Sequence, residues 1–234
     1  VQRRAHWLSD KRLAAWLKGA GYSGRTSPAD LYQRLIAAPR GATGQAGAAS
    51  AQVTRALAAV LASLNTQIKA LEAQIAAQLA EHADGHMFTS LPRSGTVRAA
   101  RLLTLIGDCR ARFPDLEALI CLVGAAPSTR QSGEHKTVTF RWAVSKQLRD
   151  AVCDFADGSR HASPWAAQIY NAAIARGKDH PHAVRILARA WQYVLWNCWH
   201  NGAAYDPARH RGLQHLLAAQ DTGAEQAAET QTPR

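Results

Sequence analysis

The stretch from Ser50 to Glu81, SAQVTRALAAVLASLNTQIKALEAQIAAQLAE, sets Leu57, Leu61, Leu64, Ile68, Leu71 and Ile75 at alternating intervals of four and three residues. A strand brings every second side chain to one face, whereas intervals of three and four gather apolar side chains on one stripe of an α-helix. The stretch has neither Gly nor Pro and is rich in Ala, Leu and Gln, which lose little conformational freedom in a helix. With Leu61, Ile68 and Ile75 at heptad position a and Leu57, Leu64 and Leu71 at d, Leu holds every d site and β-branched residues hold two of the a sites. That pattern favours a two-stranded coiled coil. A homo-oligomer, dimer or tetramer, joined through these six residues is expected; the alternative is a single helix packed on its own chain.

The sequence on either side also reads as helix. Upstream, helices are expected over Asp10 to about Gly19 and Pro28 to about Ala38, with Ser27 as an N-cap and Pro28 at the first helical position, where its missing N–H costs nothing. Residues 39–50, PRGATGQAGAAS, have no periodicity and read as a flexible connection. Downstream, Gly107, Gly177 and Gly202 mark helix ends, and Pro114, Pro164 and Pro181 mark starts. They divide the chain into helices near 96–107, 114–122, 143–157, 163–176, 181–200 and 207–218. The final 16 residues, AQDTGAEQAAETQTPR, are polar and lack aromatics, which suits a disordered tail. The expected fold is mostly α: a helical arm and linker (1–49), a long coiled-coil helix (50–84), a compact helical domain (85–218) and the tail (219–234). The chain begins at Val1, so further sequence upstream is expected.

Charge narrows the partners. The 234 residues carry 28 Lys+Arg against 17 Asp+Glu, a formal net charge of +11 that attracts polyanions, nucleic acid first among them. No run of about 20 apolar residues argues for a membrane span, and the start does not read as a signal peptide. A soluble cytoplasmic protein is expected. Cys109, Cys121, Cys153 and Cys198 are too far apart in sequence for a close ligand pair and read as buried free thiols of a reducing compartment. His180 and His182 flank a proline with no third ligand nearby, and no metal site is expected on this chain. Trp191, Trp196 and Trp199 have core spacing and read as packing rather than base-stacking residues.

Two constellations could carry chemistry. In the first, Leu91-Pro92-Arg93-Ser94-Gly95-Thr96-Val97-Arg98 and Arg101 form a tight turn running into a helix, which aims backbone N–H groups and a positive helix end at an anion. This suits a phosphate grip of the helix-hairpin-helix kind through Arg93, Ser94, Gly95, Thr96, Arg98 and Arg101, except that Arg93 stands where such turns usually have their first glycine. In the second, the polar loop from Gly124 to Lys136 contains Ser128 and Gln131-Ser132-Gly133. A serine in an exposed turn can present its hydroxyl to a phosphodiester, and Arg130, Lys136 and Arg141 could stabilise the charge that develops. Lys146 is a further candidate DNA contact. Asp150, Asp154 and Asp157 follow helical spacing and read as a solvated helix face rather than a metal site.

The ordered series Leu91-Pro92, Leu102-Leu103, Ile106-Gly107-Asp108, Arg112-Phe113-Pro114, Leu122-Val123-Gly124, Pro127-Ser128, Ser132-Gly133, Leu148-Arg149, Arg176-Gly177 and Ala188-Arg189 resembles the C-terminal domain of the Piv-like insertion-sequence transposases of the DEDD/serine recombinase class. The resemblance implies a DNA transposition and recombination enzyme with Ser132 as its nucleophile, or Ser128 as the second choice. It also implies Mg2+ held by a separate acidic domain rather than by this chain, DNA as substrate, an element-encoded guide RNA, and a place at the bacterial nucleoid. The competing expectation is a non-catalytic nucleic-acid-binding or assembly fragment of a truncated transposase. The sequence departs from the family's pattern at Pro92-Arg93-Ser94-Gly95 and at Phe140-Arg141-Trp142-Ala143.

Overall fold

A computed structural model describes residues 7–39 and 41–230, with the backbone alone from 223 onward. The described chain is mostly α and divides into two compact units, residues 1–65 and 66–234. In the first unit, helices α1 (Asp10–Gly19) and α2 (Pro28–Ala37) pack together and bury Leu13 and Leu17. Ser9 and Ser27 cap them, each hydroxyl accepting from the backbone N–H three residues on, Arg12 at 3.3 Å and Asp30 at 3.1 Å.

Helix α3 runs Gly44–Glu81, six residues longer at its start than the coiled-coil reading. The Ala-rich stretch taken as a flexible connection is helical from Gly44, because alanine's helix propensity outweighs the scattered glycines. More than half the surface of each of Leu57, Leu61, Leu64, Ile68 and Leu71 is exposed, whereas Ile75 is partly covered and Leu79 is buried. By length and composition α3 is apolar enough to cross a bilayer. Ser63, Asn65, Gln67, Lys69, Glu72 and Gln74 interrupt it, so its apolar residues lie along a seam rather than all round.

The second unit is built around α9 (His180–Asn201), which packs against α6 (Leu116–Val123), α7 (Lys146–Ser159) and α8 (Pro164–Ala175). The short α4 (Gly85–Thr89) packs on α5 (Gly95–Ile106), and α5 packs on α7. These bounds follow the Pro and Gly punctuation: Pro164 and Pro181 lie in the first turns of α8 and α9, and left-handed Gly124 and Gly202 end α6 and α9. Trp191 is fully buried, with ring centroids of Trp165, Phe155 and Tyr205 at 5.0, 5.2 and 5.7 Å. Its indole N–H donates to Ser159 Oγ at 2.7 Å, so burial leaves no unpaired donor. Trp199 donates to the Gly107 carbonyl at 2.7 Å and meets Phe113 edge-on. Both act as packing residues, and Trp196 is partly exposed and stacks on His200.

Asp84 and Arg110 form a two-pronged ion pair, with Arg110 NH2 donating to Asp84 Oδ1 at 2.8 Å and a second short bond from NH1. The guanidinium also lies over the Trp199 ring, 4.8 Å from its centroid. Hydrogen bonding from Arg110 holds the Asp84 carboxyl below its ordinary pKa despite burial, which opposes that shift. The four cysteines are free; Cys109 is exposed rather than buried, while burial raises the Cys153 and Cys198 thiols. Helix α10 runs Arg211–Thr230, through most of the stretch read as a tail; residues 231–234 of that stretch lie outside the described residues.

Candidate functional site

The loop that holds Ser132 is an antiparallel hairpin, β1 (Ser128–Ser132) and β2 (His135–Thr139), joined by Gly133 and Glu134. Two-residue hairpin turns need positive φ at the first central position, and Gly133 supplies it at φ 58°. Composition concealed the strands because neither has an apolar face: apart from the half-buried Ser128, every residue in them is exposed. What holds them is the backbone ladder and the fastening at their base. There Thr139 Oγ1 donates to the Ser128 carbonyl at 3.3 Å, Arg141 Nε to the Ala126 carbonyl at 3.4 Å, and Ser145 N to the Leu122 carbonyl at 2.9 Å.

The register pairs Ser132 with His135, Arg130 with Thr137, and Ser128 with Thr139. Opposed residues share a face and alternate residues return to it, so Ser128, Arg130, Ser132, His135, Thr137 and Thr139 line one side of the ribbon. Directly paired residues have Cβ atoms about 5 Å apart. The Ser132 hydroxyl therefore has an imidazole across the ladder and a guanidinium about 7 Å back along its own strand. Ser128 is on the same face but about 14 Å from Ser132, at the foot of the ribbon. Lys136 pairs with Gln131 on the opposite face, and Arg141 lies beyond the strands with its Nε turned to Ala126. Sequence reasoning gave His135 no role. The signal that could have found it is the Gly133-Glu134 turn, which fixes its pairing with Ser132 once the flanks are read as strands.

The second constellation is the turn from Ser90 to Ser94 between α4 and α5. Arg93 adopts φ 55° and Gly95 φ 60°, so Arg93 takes up the left-handed conformation that a glycine would accept without strain. Arg93 and Gly95 are exposed and Thr96 is partly exposed. Ser94 is turned inward: it is 2% exposed, and its N–H donates to the Leu91 carbonyl at 3.1 Å. Arg98 grips Asp154 of α7 with Nε at 2.8 Å and NH2 at 3.1 Å, and Arg101 approaches the same carboxylate at 3.9 Å. That contact lowers the Asp154 pKa, with the hydrogen bond from Arg98 the largest cause.

The three carboxylates of α7 do not fit a divalent-metal site. Asp154 is held by Arg98, Asp157 by Arg160 at 2.7 Å, and Asp150 lies 3.9 Å from Arg149. Among the described residues no group of three His, Cys, Asp or Glu side chains could hold a metal ion. Lys146 is exposed at the start of α7.

The helical core thus presents two polar elements, the hairpin with Ser132 beside its turn and the α4–α5 turn with Arg93 exposed. Residues 85–171, from α4 to the middle of α8, match the transposase IS116/IS110/IS902 family, and the chain belongs to it. It is 34% identical over 164 residues to the insertion element IS110 43.6 kDa protein of Streptomyces coelicolor, a match covering 69% of this chain and 40% of that protein. It is 30% identical over 160 residues to the insertion element IS900 42 kDa protein of Mycobacterium paratuberculosis, covering 68% and 40%. The chain thus spans about two fifths of the length of these relatives. The family match encloses the hairpin, the α4–α5 turn and α7.

Proposed function

We propose that the chain is the DNA-handling C-terminal part of an insertion-sequence transposase, with Ser132 as the nucleophile of strand cleavage and exchange. The observation that carries this reading is the hairpin register, which sets Ser132, His135 and Arg130 on one exposed face. The Ser132 oxygen attacks the phosphorus of a DNA phosphodiester. A P–O bond to Ser132 forms as the bond to one sugar oxygen breaks, leaving a phosphoserine link. His135 takes the hydroxyl proton, the departing sugar oxygen takes one from solvent, and Arg130 offsets charge on the phosphorane. Strand exchange reverses the step, with a sugar hydroxyl displacing Ser132. Mg2+, which the α7 carboxylates do not accommodate, is supplied by an acidic domain outside this chain and contributes charge neutralisation at the phosphate.

Arg93, Gly95, Thr96 and Arg101 hold the phosphate backbone from the helix-hairpin-helix-like α4–α5 turn, and Lys136, Arg141 and Lys146 add to the attraction. Arg98 acts through its grip on Asp154, and Ser94 by packing under the turn. Leu57, Leu61, Leu64, Ile68, Leu71 and Ile75 join copies of the chain in a coiled coil, which covers five apolar side chains now more than half exposed. A guide RNA encoded by the element serves target choice. The action takes place in the bacterial cytoplasm at the nucleoid.

The test is covalent trapping: the chain together with the family's acidic domain, element-end DNA and magnesium, comparing native protein with Ser132→Ala and Ser128→Ala. A denaturation-resistant adduct lost in Ser132→Ala and kept in Ser128→Ala is expected. Loss in Ser128→Ala alone moves the nucleophile to the foot of the ribbon. No adduct from native protein despite salt-sensitive DNA binding supports the non-catalytic binding fragment.

A further inference from the structure

Beyond the hairpin, the chain turns through Phe140, Arg141 and Trp142 before α7 begins. Trp142 is 79% exposed, the most exposed of the large apolar side chains among the described residues. It is held edge-on to Phe140, with centroids 5.1 Å apart and planes at 77°. Phe140 itself is fixed: the guanidinium carbons of Arg149 from α7 and Arg185 from α9 lie 5.3 and 5.1 Å from its ring centroid. These groups border an open cleft of about 510 Å³ between the post-hairpin segment, α7 and the start of α9. Val184, Pro181 and Cys153 add apolar lining to it. Of its carboxylates, Asp157 is engaged by Arg160 and Asp150 lies 3.9 Å from Arg149. Among the described residues Arg185 has no carboxylate within ion-pair distance.

We infer that this cleft is a nucleobase slot, in which one unpaired base of a DNA strand stacks on the face of Trp142 while Arg185 meets the adjoining phosphate. An indole left open to water beside guanidinium groups has the chemistry of single-strand platforms, where an aromatic face takes the base and a cation takes the backbone. A protein partner of apolar surface would cover Trp142 as well, but would bury the Arg185 charge without a counter-ion. A base inside a duplex cannot reach a tryptophan face without leaving its stack, so the ligand is an unpaired nucleotide. The choice of DNA over RNA rests on the reading of Ser132 as nucleophile: the slot is at the foot of the same ribbon, one five-residue strand, or about 17 Å, from the serine. It would hold the strand being cut.

The test measures binding of the whole chain to fluorescein-labelled 12-nucleotide probes, roughly one single-strand binding site in length: an element-end single strand, the same strand carrying abasic sites throughout, its duplex, and an RNA of equal sequence. Native protein is compared with Trp142→Ala, Trp142→Phe, Arg185→Gln and Ser132→Ala. Trp142→Ala should weaken the base-bearing DNA strand about tenfold, within the range of one stacked base, and leave the abasic strand and duplex unchanged. Trp142→Phe should recover most of the loss, and Arg185→Gln should weaken single strands with and without bases. Equal effects of Trp142→Ala on base-bearing and abasic strands, or none on either, overturns the slot. A loss confined to RNA overturns its assignment to DNA. A change in sedimentation of the free chain in Trp142→Ala shows that the indole packs on another copy and overturns it too. The trapping assay on native protein separates the two readings: a Trp142-dependent base preference in a native protein that traps no phosphoserine leaves the slot standing and the chemistry fallen, and Ser132→Ala should keep that base preference in either case.

Discussion

Helix α9 and the β1–β2 hairpin belong to the same unit, yet different forces hold them. Along α9, Ala183, Leu187, Ala188, Trp191, Leu195 and Trp199 are buried, and the indole N–H groups of both tryptophans are paired. The hairpin buries nothing, and only backbone hydrogen bonds, one glycine turn and its fastened base define it. Burial makes the inward face of α9 costly to alter and chemically silent, while Arg185 of the same helix stays at the surface cleft. Exposure makes the hairpin cheap to alter and leaves its hydroxyl, imidazole and guanidinium free to meet a substrate. The scaffold is robust because it is dry, and the candidate site is available because it is wet.

The comparison breaks most visibly at Trp191. Replacing it with Ala removes its ring contacts with Phe155, Trp165, Tyr205 and His210 and leaves Ser159 Oγ without its donor, so Trp191→Ala should cost about 3–5 kcal/mol, read as a shift of the urea midpoint. Asp84→Asn tests the ion pair and should cost about 2–3 kcal/mol, because it weakens a charge-assisted fork and leaves Arg110 without its counter-charge. The folded-state pKa of Asp84 is lowered, so its contribution is full above the unfolded carboxylate value and declines as pH falls through the folded value. Acid unfolding profiles should therefore converge for native protein and Asp84→Asn below about pH 4 and separate above it. Unchanged separation at low pH would remove the ion pair as the cause.

Arg93→Gly should stabilise the chain, by about 0.5–1 kcal/mol, because it relieves a side chain held at φ 55°. A loss instead would show that Arg93 makes a contact worth more than its strain. Smallest of all, Ser132→Ala should move the urea midpoint by less than about 0.5 kcal/mol, as for an exposed residue with no buried partner. A larger shift would mean that the hydroxyl supports the fold, contrary to the contrast between the two regions.

Most of the helical scaffold could be read from the chain because its signals are local. Pro164 and Pro181 start helices, Gly107, Gly177 and Gly202 end them, and the spacing from Val184 to Cys198 shows which side of α9 turns inward. Alanine-rich stretches were harder: α3 begins at Gly44 and α10 reaches Thr230 because helix propensity there comes without an apolar stripe. The hairpin was illegible for a related reason, since Ser-Thr-Arg-Gln-Ser and His-Lys-Thr-Val-Thr present no apolar face for a period of two to mark. Ser132 stood out through family resemblance rather than composition. Its pairing with His135, and the bare face of Trp142, required the register and the packing of distant helices on Phe140.

A two-stranded ribbon without a buried face is marginal in water when left to itself. Its amides should exchange with solvent far sooner than those of α9, and paired and frayed ribbons interconvert at the protein surface. The alignment of serine, imidazole and guanidinium is then one population among several, and a polyanion lying along that face enriches it by binding it best. On the proposed reading of Ser132 as nucleophile, such a site is idle in the free protein and becomes competent as its substrate arrives.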